Sequence, residues 1–171
     1  RVRMIVIVMG VSGAGKSTLG RALAAALGCA FVDADDHHSA ANIAKMRRGE
    51  PLTDADRGPW LDRLHGLLRE QDAAGKDAVL ACSALKGSYR TRLAAGLRDV
   101  RMVLLVGAPA QLQERLAARR DHFMPPVLLE SQIATLSVPD DALEVPIGLP
   151  TAEQVALVRE ALAAQDHRPD A

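Results

Sequence analysis

Residues Gly10 to Ser17 read GVSGAGKS, three glycines, a lysine and a hydroxyl in the order G-x-x-x-x-G-K-S. Glycines at this spacing let the backbone turn successive N–H groups inward on an anion, and a helix starting at the lysine adds its positive end. Gly10, Val11, Ser12, Gly13, Ala14 and Gly15 would wrap the phosphates of ATP. Lys16 would reach the β- and γ-phosphates, Ser17 would ligate Mg²⁺, and Thr18 would complete the binding run. The plain alternative is a glycine turn with no ligand.

A second cluster, VDADDHH from Val32 to His38, crowds three aspartates and two histidines together. Three readings are open. Asp35 could orient and deprotonate an attacking hydroxyl, with Asp33 supporting it or holding Mg²⁺ through water. The histidines and aspartates could form a zinc-type site, although adjacent histidines diverge on a strand or a helix. The stretch could also be a solvated acidic turn. Further along, Arg115 and Arg119 lie four residues apart, hence on one helix face, just before RDHFMPP. They would bring guanidinium groups to the phosphates or the adenine face as part of a mobile lid over about 115–135, or else complement the dipole of their own helix.

The elements around these residues position them. Ile5 to Met9 is a β-branched apolar run ending at glycine, the pattern of a central parallel strand, and Leu19, Leu23, Ala26 and Leu27 recur at helical spacing up to Gly28. Strands are expected near 31–33, 78–82, 102–106 and 142–147, and helices near 39–48, 58–74 (with Pro59 in the first turn), 86–95, 110–119, 127–136 and 151–164. Strands that keep alternating with helices imply an α/β fold: a single domain over residues 1–171, with a five-stranded parallel sheet flanked by helices. The phosphate loop then lies at a strand's carboxyl end, where ligands gather, and VDADDHH lies beside it at the end of the second strand.

Composition narrows the function. The chain has 171 residues, and 21 basic residues balance 21 acidic ones. No overall basic field draws it to nucleic acid or membrane, and aromatic stacking platforms are scarce. The apolar runs fall short of the roughly 20 residues that span a bilayer. No signal-type cleavage site follows the N-terminal run, so a cytoplasmic protein is expected. Cys29 and Cys82 lack metal-ligand spacing and read as buried thiols. A regulatory GTPase would need an N-K-x-D motif, but the sole asparagine, Asn42, sits in ANIAKM. A small-molecule kinase suits this length.

The run DADDHHSAANIAKMRRGEPLTDADRGPWL, with CSALKGSYR at 82–90 and HFMPPVLLESQIATL at 122–136, resembles the gluconokinase family of phosphate-loop kinases. The resemblance covers most of the chain in order. It departs at His37, where an apolar or aromatic residue is usual, at Ser39 in place of proline, and at Ser137 in place of glutamate. Ser39 can still start a helix as an N-cap. The resemblance implies ATP- and Mg²⁺-dependent phosphorylation of D-gluconate at its 6-hydroxyl, often by a homodimer. Its catalytic residues would be Lys16, Asp35 and Arg119. By position in the matching motifs, His38, Asn42, Lys45, Arg57, Ser83, Lys86 and Arg90 would form the substrate shell, largely on helices within about 37–74. The alternatives are a kinase of the same layout for shikimate or another sugar acid, and a non-catalytic nucleotide-binding module.

Overall fold

Every residue of Ile5–Met9 (β1) is at most 1% exposed, because Ile5, Ile7 and Met9 pack on one face of the sheet while Val6 and Val8 pack on the other. The computed structural model describes residues 3–118 and 126–166. Along the chain β1 is followed by α1 (Lys16–Leu27), β2 (Ala30–Asp33), a short 3₁₀ turn (Ala34–His37), α2 (Ala40–Arg47), α3 (Asp54–Ala73), β3 (Ala78–Ala81) and α4 (Gly87–Ala94). Then come β4 (Val100–Val106), α5 (Pro109–Ala118), α6 (Pro126–Thr135), β5 (Leu143–Pro146) and α7 (Thr151–Asp166). The five strands form one parallel sheet in the order β2-β3-β1-β4-β5. This is the α/β architecture, a five-stranded parallel sheet flanked by helices, that the alternation implied.

The order has a consequence for the site. The chain leaves β1 toward β2 and β3 on one side and returns to β4 and β5 on the other, so a crevice opens at the carboxyl end of β1. One core, with Leu19, Leu23, Leu112, Leu129 and Val158, seats α1, α5, α6 and α7 on one face. The other, with Trp60, Leu64, Leu68 and Leu93, seats α3 and α4 on the opposite face. Burying Leu64 and Leu68 fully stabilises the fold by roughly 1.5–3 kcal/mol each. The second strand does not pair with the first, because β3 lies between them. Contact between the acidic turn and the phosphate loop therefore depends on side chains.

Helix α3 begins earlier than the expected 58–74. The hydroxyl of Thr53 accepts from the Asp56 N–H at 3.1 Å while the Asp56 carboxylate accepts from the Thr53 N–H at 2.9 Å, a capping box that starts the helix at Asp54. Pro59 consequently sits inside the helix, not in its first turn, and its missing N–H leaves the Ala55 carbonyl without a helical donor. Lys45 donates to the Asp56 carboxylate at 2.7 Å; this bond first, and the Thr53 N–H second, hold the Asp56 carboxyl down at about 2 against an ordinary 3.8. Because the folded form holds its proton less tightly, the contribution is complete above 3.8 and is lost as pH falls through about 2. Asp56→Asn is therefore expected to flatten the acid limb of the unfolding profile over that interval, measured by denaturant midpoints at successive pH values.

Candidate active site

The phosphate loop carries Gly10, Gly13 and Gly15 at φ +150°, +85° and +92°. Gly13 admits no side chain: a Cβ there would meet Leu116 Cγ at 2.8 Å and the Leu112 carbonyl at 3.3 Å. Helix α1 opens at Lys16 with no side-chain cap and no acidic residue in its first turn, so its end N–H groups suit an anion. The Lys16 ammonium lies over the loop, donating to the Val11 carbonyl at 3.1 Å.

The acidic turn meets this loop directly. The Ser17 hydroxyl donates to Asp33 Oδ2 at 2.7 Å, and Asp33 Oδ1 accepts from the Asp35 N–H at 3.1 Å, capping the 3₁₀ turn. Two hard oxygen donors so placed fit Mg²⁺, which takes few protein ligands and keeps several waters. Asp35 is exposed, and its backbone N–H is held by the Asp33 carboxylate. The zinc-type reading loses its geometry here. His38 stacks flat on Trp60, ring centroids 4.2 Å apart at 14°, while the His37 carbonyl accepts from Arg63. Among the described residues no group of three or more His, Cys, Asp and Glu side chains could hold a metal ion.

Helices α2 and α3 and the segment after β3 supply the shell around the turn. Ser39 does cap α2, accepting from the Asn42 N–H at 3.1 Å. Asn42, 4% exposed, donates to the Asp56 carbonyl at 3.0 Å and lies 3.4 Å from His38 Nδ1. Burial pushes the His38 pKa below its ordinary value, opposed by Asp35 and helped by Arg57, which favours the neutral ring. Trp60 Nε1 donates to the Ala34 carbonyl at 2.8 Å, fastening α3 to the acidic turn. Trp60 is buried in the core, and its indole N–H and its ring beneath His38 also make it part of the site.

The cations divide into two kinds. Lys45 pairs with Asp56 at 2.7 Å and Lys86 with Asp54 at 3.2 Å, so each already faces a carboxylate. Arg57 donates to the Leu52 carbonyl at 2.8 Å and to Tyr89 Oη at 3.2 Å. Arg90 donates to the carbonyls of Ala84 and Leu85 and to Ser137 Oγ at 2.8 Å. Among the described residues neither guanidinium forms a salt bridge, although Arg57 adds to the field that lowers the Asp54 pKa, and those are the cations best placed for an anionic ligand. Ala84, a buried non-glycine at φ +46°, turns the chain sharply after Ser83, whose carbonyl accepts from the Gly10 N–H at 3.4 Å. This turn brings the β3 end beside the phosphate loop.

Arg115 donates to the Ile147 carbonyl and approaches within 3.6 Å of where a Gly15 side chain would stand. It lines a cleft of about 370 Å³ with Gln111, Ile147 and Gly148. Arg119 lies outside the described residues, as do residues 120 to 125 of the RDHFMPP segment. The two thiols differ: Cys82 is buried and pushed up to about 12, which makes it inert, whereas Cys29 is only half-buried.

A family model described as an AAA domain matches residues 5–139. Gluconokinase of Gluconobacter oxydans is 51% identical over 135 residues, covering 79% of this chain and 76% of the relative. The probable gluconokinase of Mus musculus is 43% identical over 178 residues, covering 92% and 97%. The chain belongs to the gluconokinase family. The crystal structure of a gluconokinase from Sinorhizobium meliloti superposes with a TM-score of 0.81 at 39% identity, covering 98% of this chain and 99% of that one. Membership of a phosphate-loop kinase family implies that the chain uses a nucleotide. No helix among the described residues is long and apolar enough to cross a membrane.

Proposed function

We propose that the chain transfers the γ-phosphoryl group of ATP to the 6-hydroxyl of D-gluconate, releasing ADP and 6-phospho-D-gluconate. One observation carries the reading: the 2.7 Å contact between Ser17 and Asp33 sets the phosphate loop against the turn that bears Asp35. The loop N–H groups, Lys16 and Thr18 bind the triphosphate, and Arg115 lies along the nucleotide in the cleft with Ile147 and Gly148, which suits adenine. Ser17, with Asp33 through water, would hold Mg²⁺, which when bound neutralises charge on the β- and γ-phosphates.

Gluconate is an anionic polyol and needs both cations and neutral polar groups. Arg57 and Arg90 take its carboxylate, while His38, Asn42 and Ser83 take hydroxyls. Lys45 and Lys86 act from behind, holding Asp56 and Asp54 in place. The 6-hydroxyl oxygen attacks the γ-phosphorus in line, its proton passes to Asp35, and the bond to the β-phosphate oxygen breaks as ADP leaves. Arg119 and the segment over 115–135 would cover the phosphates and exclude water. Residues 37–74 are the acceptor-binding half in this reading, and the working form is a cytoplasmic homodimer.

A coupled assay for ADP release over gluconate, shikimate and other sugar acids tests this. Gluconate should exceed the others by about 100-fold or more in kcat/KM, because a site built for its hydroxyls leaves buried polar groups unpaired with a poorer acceptor. Turnover only with another acid would replace the substrate. ADP release that no acceptor stimulates would leave a nucleotide-binding module and overturn the kinase reading.

A further inference from the structure

Gln132, on the second turn of α6, grips the phosphate loop from outside. Its Oε1 accepts from the Ser12 N–H at 2.8 Å and its Nε2 donates to Ser12 Oγ at 3.0 Å. One carboxamide thus satisfies both the backbone and the side chain of a single loop residue, which needs an acceptor and a donor on adjacent atoms and which only glutamine or asparagine offers. Just past the C-terminal end of the same helix, about one turn beyond Gln132, the Ser137 N–H donates to the Leu85 carbonyl at 2.9 Å and Ser137 Oγ accepts from Arg90. Leu129, about one turn before Gln132 and fully buried with Val11 and Leu116, seats the helix on the core.

We propose that Gln132 is a positioning residue and that α6 is a strut through which nucleotide at the phosphate loop and acceptor at the Leu85–Arg90 segment sense each other. Any shift of Ser12 as phosphate enters is passed to the helix by two hydrogen bonds, and a closely packed helix transmits it instead of absorbing it. Just past its C-terminal end Ser137 holds the Leu85 carbonyl and the Arg90 guanidinium, which in the reading above takes the acceptor's carboxylate. By linkage the effect is reciprocal, so acceptor binding tightens nucleotide as much as nucleotide tightens acceptor.

The inference rests on the acceptor reading above, and calorimetry separates the two. Gluconate affinity is measured on the full chain with and without a saturating non-hydrolysable ATP analogue and Mg²⁺, for the native protein, Gln132→Ala and Ser12→Ala. The native ratio of affinities should be about fivefold or more. In Gln132→Ala it should fall toward one while gluconate affinity without nucleotide stays within about twofold, a pattern that general loosening of the fold would not produce. Ser12→Ala, which removes one of the two bonds, should fall between and serves if Gln132→Ala does not fold. A native ratio of one, or a native-like ratio in either folded variant, overturns the strut while leaving the substrate intact. If the native protein binds a different sugar acid from the panel, gluconate falls as substrate and the same ratio measured with that acid judges Gln132. Binding of no acid overturns both.

Discussion

Asp35→Asn is expected to lower kcat by about 10²–10⁴-fold, the usual yield of a positioned general base, while the affinity for a non-hydrolysable ATP analogue changes by less than about threefold. The structure makes this a clean substitution. The Asp35 carboxylate is exposed, and the turn is held by the residue's backbone N–H donating to Asp33 and by the Trp60 indole donating to Ala34. Asparagine keeps that N–H and nearly the same shape but cannot accept the hydroxyl proton. Thermal denaturation should therefore move little, and the loss should appear in single-turnover phosphoryl transfer. Near-native turnover would remove Asp35 from the chemistry and return the acidic turn to a purely structural role.

Gly13→Ala is expected to weaken ATP binding by an order of magnitude or more and to destabilise the fold by about 2–4 kcal/mol, two costs adding at one position. At φ +85° an alanine is strained wherever it stands, and here its methyl also meets Leu116 Cγ at 2.8 Å. Leu116 is itself 7% exposed and packed in the core, so it cannot swing clear. The relief must come from the loop, which shifts the N–H groups that cradle phosphate. A lowered melting midpoint together with a raised Kd for the ATP analogue is the signature. A variant that binds the analogue normally would show that the loop tolerates displacement, and the close fit of Gly13 on Leu116 would then have no bearing on binding.

Much of the site was legible in the chain because its signals are local. GVSGAGKS states its own turn: the glycines fall where positive φ is required, and the strand and helix around it are encoded by adjacent residues. The same holds for Asp35 at the end of β2 and for Ser39, whose hydroxyl caps the helix beginning at the next residue. Helix limits were less legible where an acidic cap competed with an apolar stripe. The stripe beginning at Trp60 marks the buried face of α3, but the hydrogen bonds that begin the helix belong to Thr53 and Asp56, which lie outside that stripe.

What the chain determines alone is therefore the kind of element and the kind of chemistry: a phosphate cradle, a carboxylate beside it, cations for an anionic acceptor, and the family pattern that joins them. Which cations are already engaged depended on the packed molecule. Lys45 and Arg57 look alike as charges in a motif, yet one lies against Asp56 and the other donates to a carbonyl and a phenol. The grip of Gln132 on Ser12 joins residues 120 apart, and the placement of β3 between β1 and β2 leaves Ser17 and Asp33 to meet through α1 and a strand end. Such contacts have no local signature, because hydrogen-bond partners are decided by which surfaces the hydrophobic cores press together and not by the residues next in sequence.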